Sequence, residues 1–331
     1  LPVDKYYRVN LICIVLALAV ITLGAFVRLS DAGLGCPDWP GCYGHIGVPQ
    51  DHAAAEGYER PLEQHKAWKE MAHRYLAGIF GLLILALLFL AWSQRKRISQ
   101  QLVLPVLLLG MVIFQAALGM WTVTLLLKPL IVTAHLLGGM MLLALLVLSL
   151  LRQGNHFDQM QAGRQVALLR AFAGLALVVL TMQIFLGAWT STNYAALACT
   201  DFPTCHGQIW PQTDFKEAFT LWRGLGVNYE FGVLDSVPRA TIHMVHRLGA
   251  LITTGVLIVL AAMLFALGRR ERRWSGLAVA LLLALALQVV LGITAVVAHL
   301  PLPVAVAHNG GAALLLCALM SINHAAWRAR Q

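Results

Sequence analysis

Charge is what this chain has least of. Of its 331 residues only 12% are Asp, Glu, Lys or Arg, while 59% are hydrophobic. Soluble globular domains carry about 25% charged residues, so a soluble domain is excluded. Alternation of apolar and polar residues is also missing. The apolar runs are continuous, which excludes a membrane-spanning barrel. No small-residue cleavage site follows the first run, so it reads as a retained helix and not a cleavable signal. Broken helices and an inverted repeat, marks of many secondary transporters, are absent too. Cysteines number six, and their spacing is not that of a zinc motif.

What is there is a series of runs long enough to cross a bilayer, about 20 mostly apolar residues each. They are expected near 10–29, 73–92, 102–124, 131–151, 170–191, 241–267, 276–298 and 304–326. The expected fold class is therefore an all-α integral membrane protein with eight transmembrane helices. Basic residues gather in alternate connections: Lys5, Arg8, Arg95-Lys96-Arg97, Arg152, Arg164, Arg170, Arg269, Arg270, Arg272, Arg273, Arg328 and Arg330. The positive-inside rule then places both termini in the cytoplasm and the long loops 30–70 and 192–240 outside. The net charge of +9 reflects this topology and calls for no nucleic-acid partner. Membrane lipid is the expected surrounding.

The chain repeats itself. A shift of 173 residues carries His73-Arg74 onto His246-Arg247, Gln115 onto Gln288, His135 onto His308 and Gly138 onto Gly311. Upstream a shift of 163 carries Leu23-Gly24-Ala25 onto Leu186-Gly187-Ala188, and Cys36 and Cys42 onto Cys199 and Cys205. The ten-residue difference is an insertion in the second long loop, between Cys205 and His246. Apolar helices resemble one another by composition, but His, Gln, Arg and Cys at one offset do not arise that way. The expected organisation is two tandem four-helix bundles related by a pseudo-two-fold. Residues 1–152 and 164–331 form the bundles, and 153–163 form a cytoplasmic linker.

Each unit holds a histidine pair with the same separation, 62 residues: His73 with His135, and His246 with His308. Ionisable groups inside membrane helices are expensive and default to a functional reading. All four sit near the outer ends of their helices, and facing helices of a bundle are where cofactor sites are built. Imidazole is a preferred axial ligand of haem iron, so bis-histidine haem sites are expected. Gly138-Gly139 and Gly310-Gly311 leave room for a flat macrocycle. Arg74 and Arg247 are candidate partners for its propionates. Gln115 and Gln288 read as interhelical packing amides.

In the long loops, Cys36-Pro-Asp-Trp-Pro-Gly-Cys42-Tyr-Gly aligns with Cys199-Thr-Asp-Phe-Pro-Thr-Cys205-His-Gly. Both lie on the oxidising side, where disulfides persist, so Cys36–Cys42 and Cys199–Cys205 are expected to pair. The metal-site alternative has only His206 nearby. A structural staple and a redox-active pair both remain open. Cys13 and Cys317 read as buried thiols.

The units differ at informative positions. Glu70 stands one helical turn before His73, where the second unit has His243. Arg28 is matched by Ser191. A carboxylate bordering an apolar pocket can serve as a general base, and one near a helix start can simply favour the dipole. The asymmetry points to the first unit as reactive and the second as handling electrons.

These residues make the chain resemble the haem A synthase family, the Cox15/CtaA-type membrane enzymes. The resemblance covers essentially the whole chain. It rests on Arg28-Leu-Ser-Asp-Ala-Gly-Leu-Gly-Cys36-Pro-Asp-Trp-Pro, Glu70-x-x-His73-Arg74, His135, His246-Arg247 and His308. It implies oxidation of the C8 methyl of haem O to the formyl group of haem A. It further implies substrate haem O between His73 and His135, haem b between His246 and His308, and Glu70 as an essential acid. Arg28, Arg74 and Arg247 would border the cofactors. Implied partners are haem O synthase, cytochrome oxidase assembly factors and an electron acceptor. A quinone-linked di-haem b cytochrome and a non-catalytic haem carrier are the competing functions. The compact length and the lack of a long targeting segment favour a bacterial inner membrane.

Overall fold

The computed structural model describes residues 5–51, 55–95, 102–154, 157, 160 and 165–329. Among these residues the structure is helical apart from two isolated bridges. The helices are α1 (Lys5–Leu29), α2 (Gln64–Ser93), α3 (Val103–Thr124), α4 (Pro129–Gly154), α5 (Val166–Thr192), α6 (Phe215–Ala218), α7 (Ser236–Gly268), α8 (Arg272–Val297) and α9 (Leu302–Arg328). All but the short α6 are long and apolar enough to cross a membrane. Lys96, Arg97, Arg164 and Arg330, part of the expected charge asymmetry, lie outside the described residues, as does most of the 153–163 linker.

Three helices start well before their apolar runs, α1 at Lys5 and two others at the ends facing the long loops. α2 begins at Gln64 and α7 at Ser236, because their first turns are too polar to register as membrane-spanning. Burial against the loops holds them instead. α2 buries Ala67, Glu70 and Met71, and α7 buries Ala240, His243 and Met244. Glu70 and His243 are thus helical residues and not loop residues.

The packing runs in two closed rings. α1 packs on α2, α2 on α3, α3 on α4, and α4 returns to α1; likewise α5 on α7, α7 on α8, α8 on α9, and α9 returns to α5. The rings meet where α9 packs on α1 and α4, and α4 on α5. One apolar cluster runs through all eight long helices, centred on residues such as Ile84, Leu108, Leu143, Leu169, Leu260, Leu281 and Leu319. Leu82, Val178, Leu251 and Leu283 point outward and are exposed, a surface suited to hydrocarbon. A few polar contacts fix the helices within each ring. The Tyr6 and Ser149 hydroxyls meet at 3.0 Å, and the Asn323 amide donates to the Ala173 carbonyl at 3.0 Å. Such bonds contribute on average about 0.6 kcal/mol each within a membrane.

The short turns at the loop end match as well. Leu126 and Leu127 after α3 have φ of 52° and 60°, and His299 and Leu300 after α8 have 59° and 60°. Positive φ is uncommon for such residues. In both turns a main-chain bond holds it, Leu127 N–H to Thr122 at 2.8 Å and Leu300 N–H to Ala295 at 2.7 Å.

Candidate functional site

Each of the four histidines rests on a glycine of a neighbouring helix. A Cβ placed on Gly24 (α1) would lie 2.9 Å from His73 Cε1, and one on Gly187 (α5) 3.1 Å from His246 Cε1. The corresponding distances are 3.5 Å for Gly119 (α3) to His135, and 2.9 Å for Gly292 (α8) to His308. Any larger residue at three of these seats would displace the imidazole. His73 on α2 and His135 on α4 stand in the first ring, and His246 on α7 and His308 on α9 in the second. Nδ1 of His73, His135 and His308 is sealed from solvent without a hydrogen-bond partner, although each residue as a whole stays partly accessible. One edge of each of these three imidazoles is therefore pinned in the helix packing, and His308 Nε2 lies 3.4 Å from the Gln288 amide.

The glycines expected to admit a macrocycle face side chains instead. Gly138 lies against the Gln115 amide and Gly311 against the Gln288 amide, while Gly139 and Gly310 approach Ile21 and Thr22 of α1. Their missing Cβ atoms let helices and amides approach closely, a use of small residues common in membranes. The histidine seats are other glycines. Two of them, Gly24 and Gly187, stand in the Leu-Gly-Ala repeat, and Gly119 and Gly292 in the Gln-x-x-Leu-Gly repeat. Repetition was the signal that could have found them.

The cysteine loops cover this end. Cys36–Cys42 and Cys199–Cys205 are disulfide-bonded, each with Cα atoms 4.8 Å apart. In each loop a two-residue turn follows the second cysteine, with positive φ at Tyr43 and Gly44 and at His206 and Gly207, as a type I′ turn requires. An aspartate braces the turn from inside the ring. Asp38 accepts from the Tyr43 and Gly44 N–H groups at 2.7 and 2.8 Å, and Asp201 from His206 and Gly207 at 2.8 and 2.9 Å. The Thr204 hydroxyl and those N–H groups hold the Asp201 carboxyl well below the usual carboxylate range.

Arg74 and Arg247 fasten the loops to the histidine helices. Arg74 donates to the carbonyls of Asp38, at 2.9 Å, and of Pro40 and Gly41. Arg247 donates to Thr204 at 2.7 Å, Asp201 at 2.9 Å and Cys199 at 3.0 Å. Each arginine directly follows a histidine, so one pair of adjacent residues holds an imidazole inward and the loop above it. Many of the donors expected to meet propionates are thus engaged by loop carbonyls.

Here the units part. Glu70 is buried, with one oxygen 2.9 Å from the Cys36 N–H and the other ion-paired with Arg74. Its counterpart His243 is also buried, and its Nδ1 lies 3.0 Å from the Ala195 carbonyl oxygen. A carboxylate bound to the disulfide loop is replaced by an imidazole bound to the end of α5. Arg28 reaches from α1 to α5, donating to Ser191 O at 2.9 Å and lying 4.1 Å from the Tyr194 ring centre. It bonds the very residue that stands in its place in the repeat.

The long-loop insertion has a clear destination. Lys128, at the turn between α3 and α4, is buried under Trp222, 3.4 Å from its ring centre, and donates to the Gly224 carbonyl. The Tyr229 N–H bonds Leu126 O at 3.1 Å, and the Tyr229 side chain packs with Leu34, Val123 and Leu127. Arg60 and Glu230 form an ion pair at 2.8 Å. The second loop therefore roofs the first ring. Sequence comparison located the insertion but carried no sign of what it touches.

Among the described residues no group of three or more His, Cys, Asp or Glu is placed to hold a metal ion. The imidazoles are the candidate donor sets, and their glycine seats, with the unpartnered Nδ1 of His73, His135 and His308, fit axial ligands of haem iron. Comparison with known proteins gives the same direction. A relative named haem A synthase from Shewanella oneidensis is 48% identical over 96% of this chain and 95% of its own. Haem A synthases from Agrobacterium fabrum and Wolbachia pipientis are 28% and 27% identical, each over 90% of this chain. The family model for cytochrome oxidase assembly protein matches residues 7–320, and so the chain belongs to the COX15-CtaA family.

Proposed function

We propose that this protein is a haem A synthase, an oxidoreductase that converts the C8 methyl of haem O to the formyl group of haem A for cytochrome oxidase. The observation that carries the reading is the set of four glycine-seated imidazoles, two in each ring, within a chain closely similar to a haem A synthase along nearly its whole length. We assign α1–α4, within residues 1–152, as one bundle and α5–α9, within 164–331, as its tandem copy related by a pseudo-two-fold. The closed rings, matched turns and matched disulfide loops support that assignment. The membrane is assigned as the bacterial inner membrane, with both termini cytoplasmic and the loops and imidazoles toward the outer side.

His73 and His135 would hold the substrate haem O, and His246 and His308 a haem b. When bound, haem b supplies an iron that accepts electrons one at a time. The other roles belong to side chains. Glu70 sits one helical turn from His73, and its carboxylate is the group assigned to accept a proton as the methyl is oxidised. Arg74 is ion-paired with that carboxylate and fixes the loop. Arg28, Arg74 and Arg247 supply positive charge at this end that haem carboxylates require, without releasing their loop and helix contacts. Haem O synthase, cytochrome oxidase assembly factors and an electron acceptor are the partners such a reaction requires.

The test is to express the chain with a haem O synthase, extract the haems and separate them by chromatography. Haem A should accumulate with the native chain, and haem O should remain with Glu70→Gln. Haem b alone, in both sites, would instead establish the quinone-linked cytochrome.

A further inference from the structure

Gln183 of α5 touches His246 twice. Its amide nitrogen lies 3.0 Å from Nδ1 and 3.1 Å from the main-chain carbonyl oxygen of the same residue. The amide oxygen is sealed from solvent and has no hydrogen-bond partner. It occupies the place where a side chain on Gly249 of α7 would begin. The repeat offsets match Gln183 to Val20 and Gly249 to Leu76. The first unit thus has two aliphatic side chains where the second has an amide and the space to hold it. Two complementary changes on adjacent helices bring one polar group to one histidine. His73, the counterpart of His246, has its Nδ1 sealed with no partner at all.

A histidine ligating through Nε2 must carry its proton on Nδ1, and the acceptor of that proton sets ring orientation and ligand strength. With its nitrogen toward Nδ1, the Gln183 amide suits an imidazole protonated on Nε2. Turned by half a rotation, it brings the orphaned oxygen to Nδ1 as an acceptor and leaves Nε2 bare. We propose that Gln183 is a positioning residue for His246, turning its amide to accept the Nδ1 proton when haem b binds. It thereby makes this ligand stronger than its first-unit counterpart. The proposal rests on His246 as an axial ligand, as assigned above.

The experiment compares purified native protein with Gln183→Val, Gln183→Val/Gly249→Leu, Gln183→Glu and His246→Ala. It measures haem b content, the ferric low-spin resonance and the equilibrium midpoint potential. Loss of the acceptor should weaken haem b binding about 10–100-fold and raise the potential, because a weaker donor stabilises ferric iron less. The Gln183→Glu variant keeps a stronger acceptor and should retain haem b at a lower potential. The double variant restores the first unit's packing, so its haem loss cannot be ascribed to a cavity. Native affinity and potential in both Val variants, with haem b lost in His246→Ala, would overturn the role of Gln183 alone. Undiminished haem b in His246→Ala would overturn the ligand assignment itself.

Discussion

The two rings share a plan and differ in where their polar groups go. In the first, Glu70 bonds the disulfide loop and Arg74, and neither His73 nor His135 has its Nδ1 bonded. In the second, His243 bonds the end of α5, Gln183 bonds His246, and the Gln288 amide lies 3.4 Å from His308 Nε2. The first ring directs the buried Glu70 to the rim and leaves Nδ1 of His73 and His135 without a partner, a condition His308 of the second ring shares. The second ring directs amides to the imidazoles. A site that exchanges its contents benefits from weakly held ligands, while a resident group needs them braced. The difference teaches that the two rings share their glycine seats and differ in the polar groups around them, and the proposed division of roles rests on those groups.

The most severe way to break this comparison is to remove ligands one ring at a time. His73→Ala or His135→Ala should lower haem A formation by more than about 100-fold, beyond the effect typical of outer-shell changes, while the haem b spectrum persists. His246→Ala or His308→Ala should abolish that spectrum. Identical lesions from both pairs, read by chromatography and optical spectroscopy, would mean the rings are equivalent.

Next in size is the buried acid. Glu70→Gln leaves Arg74 without its counter-charge, a loss of about 3 kcal/mol for a buried pair broken on one side. Thermal unfolding in detergent should show it, and His243→Gln should cost less because no ion pair is broken there. A smaller effect is expected at the seats. Gly24→Ala and Gly292→Ala crowd their imidazoles and should destabilise by about 1–3 kcal/mol, with altered haem retention. Gly187→Ala should fall below them, and Gly119→Ala, with its 3.5 Å clearance, should be nearly neutral. Comparably small is the effect of Arg60→Ala. Its pair with Glu230 is part-exposed, so the loss should stay below about 1 kcal/mol in a denaturation series.

Much of the fold was legible in the sequence. Long apolar runs located the eight long helices to within a few residues where the ends are apolar, and missed the starts of α1, α2 and α7, whose first turns are polar; those of α2 and α7 are held by the long loops. The His, Cys and Arg positions stood out because such residues are rare in an apolar chain. Gln183 did not, since one glutamine on a membrane helix usually means packing. The informative signal was a mismatch within the repeat, Val20 and Leu76 against Gln183 and Gly249. Matches reveal a scaffold, but only the exceptions reveal its division of tasks. Contacts of the insertion were invisible because a loop's target is a tertiary fact.

That insertion has a consequence for how the molecule is made. Synthesis proceeds from the N-terminus, so α1–α4 are complete long before residues 222–230 exist. Yet those residues bury Lys128 and pack Tyr229 over the α3–α4 turn. The ring translated first is therefore finished only when the second long loop has been made, just before α7. A ribosome stalled after α4 would leave a ring with its imidazoles in place and its cover missing, and the chain's own order of birth would keep that ring open until the loop between α5 and α7 has emerged.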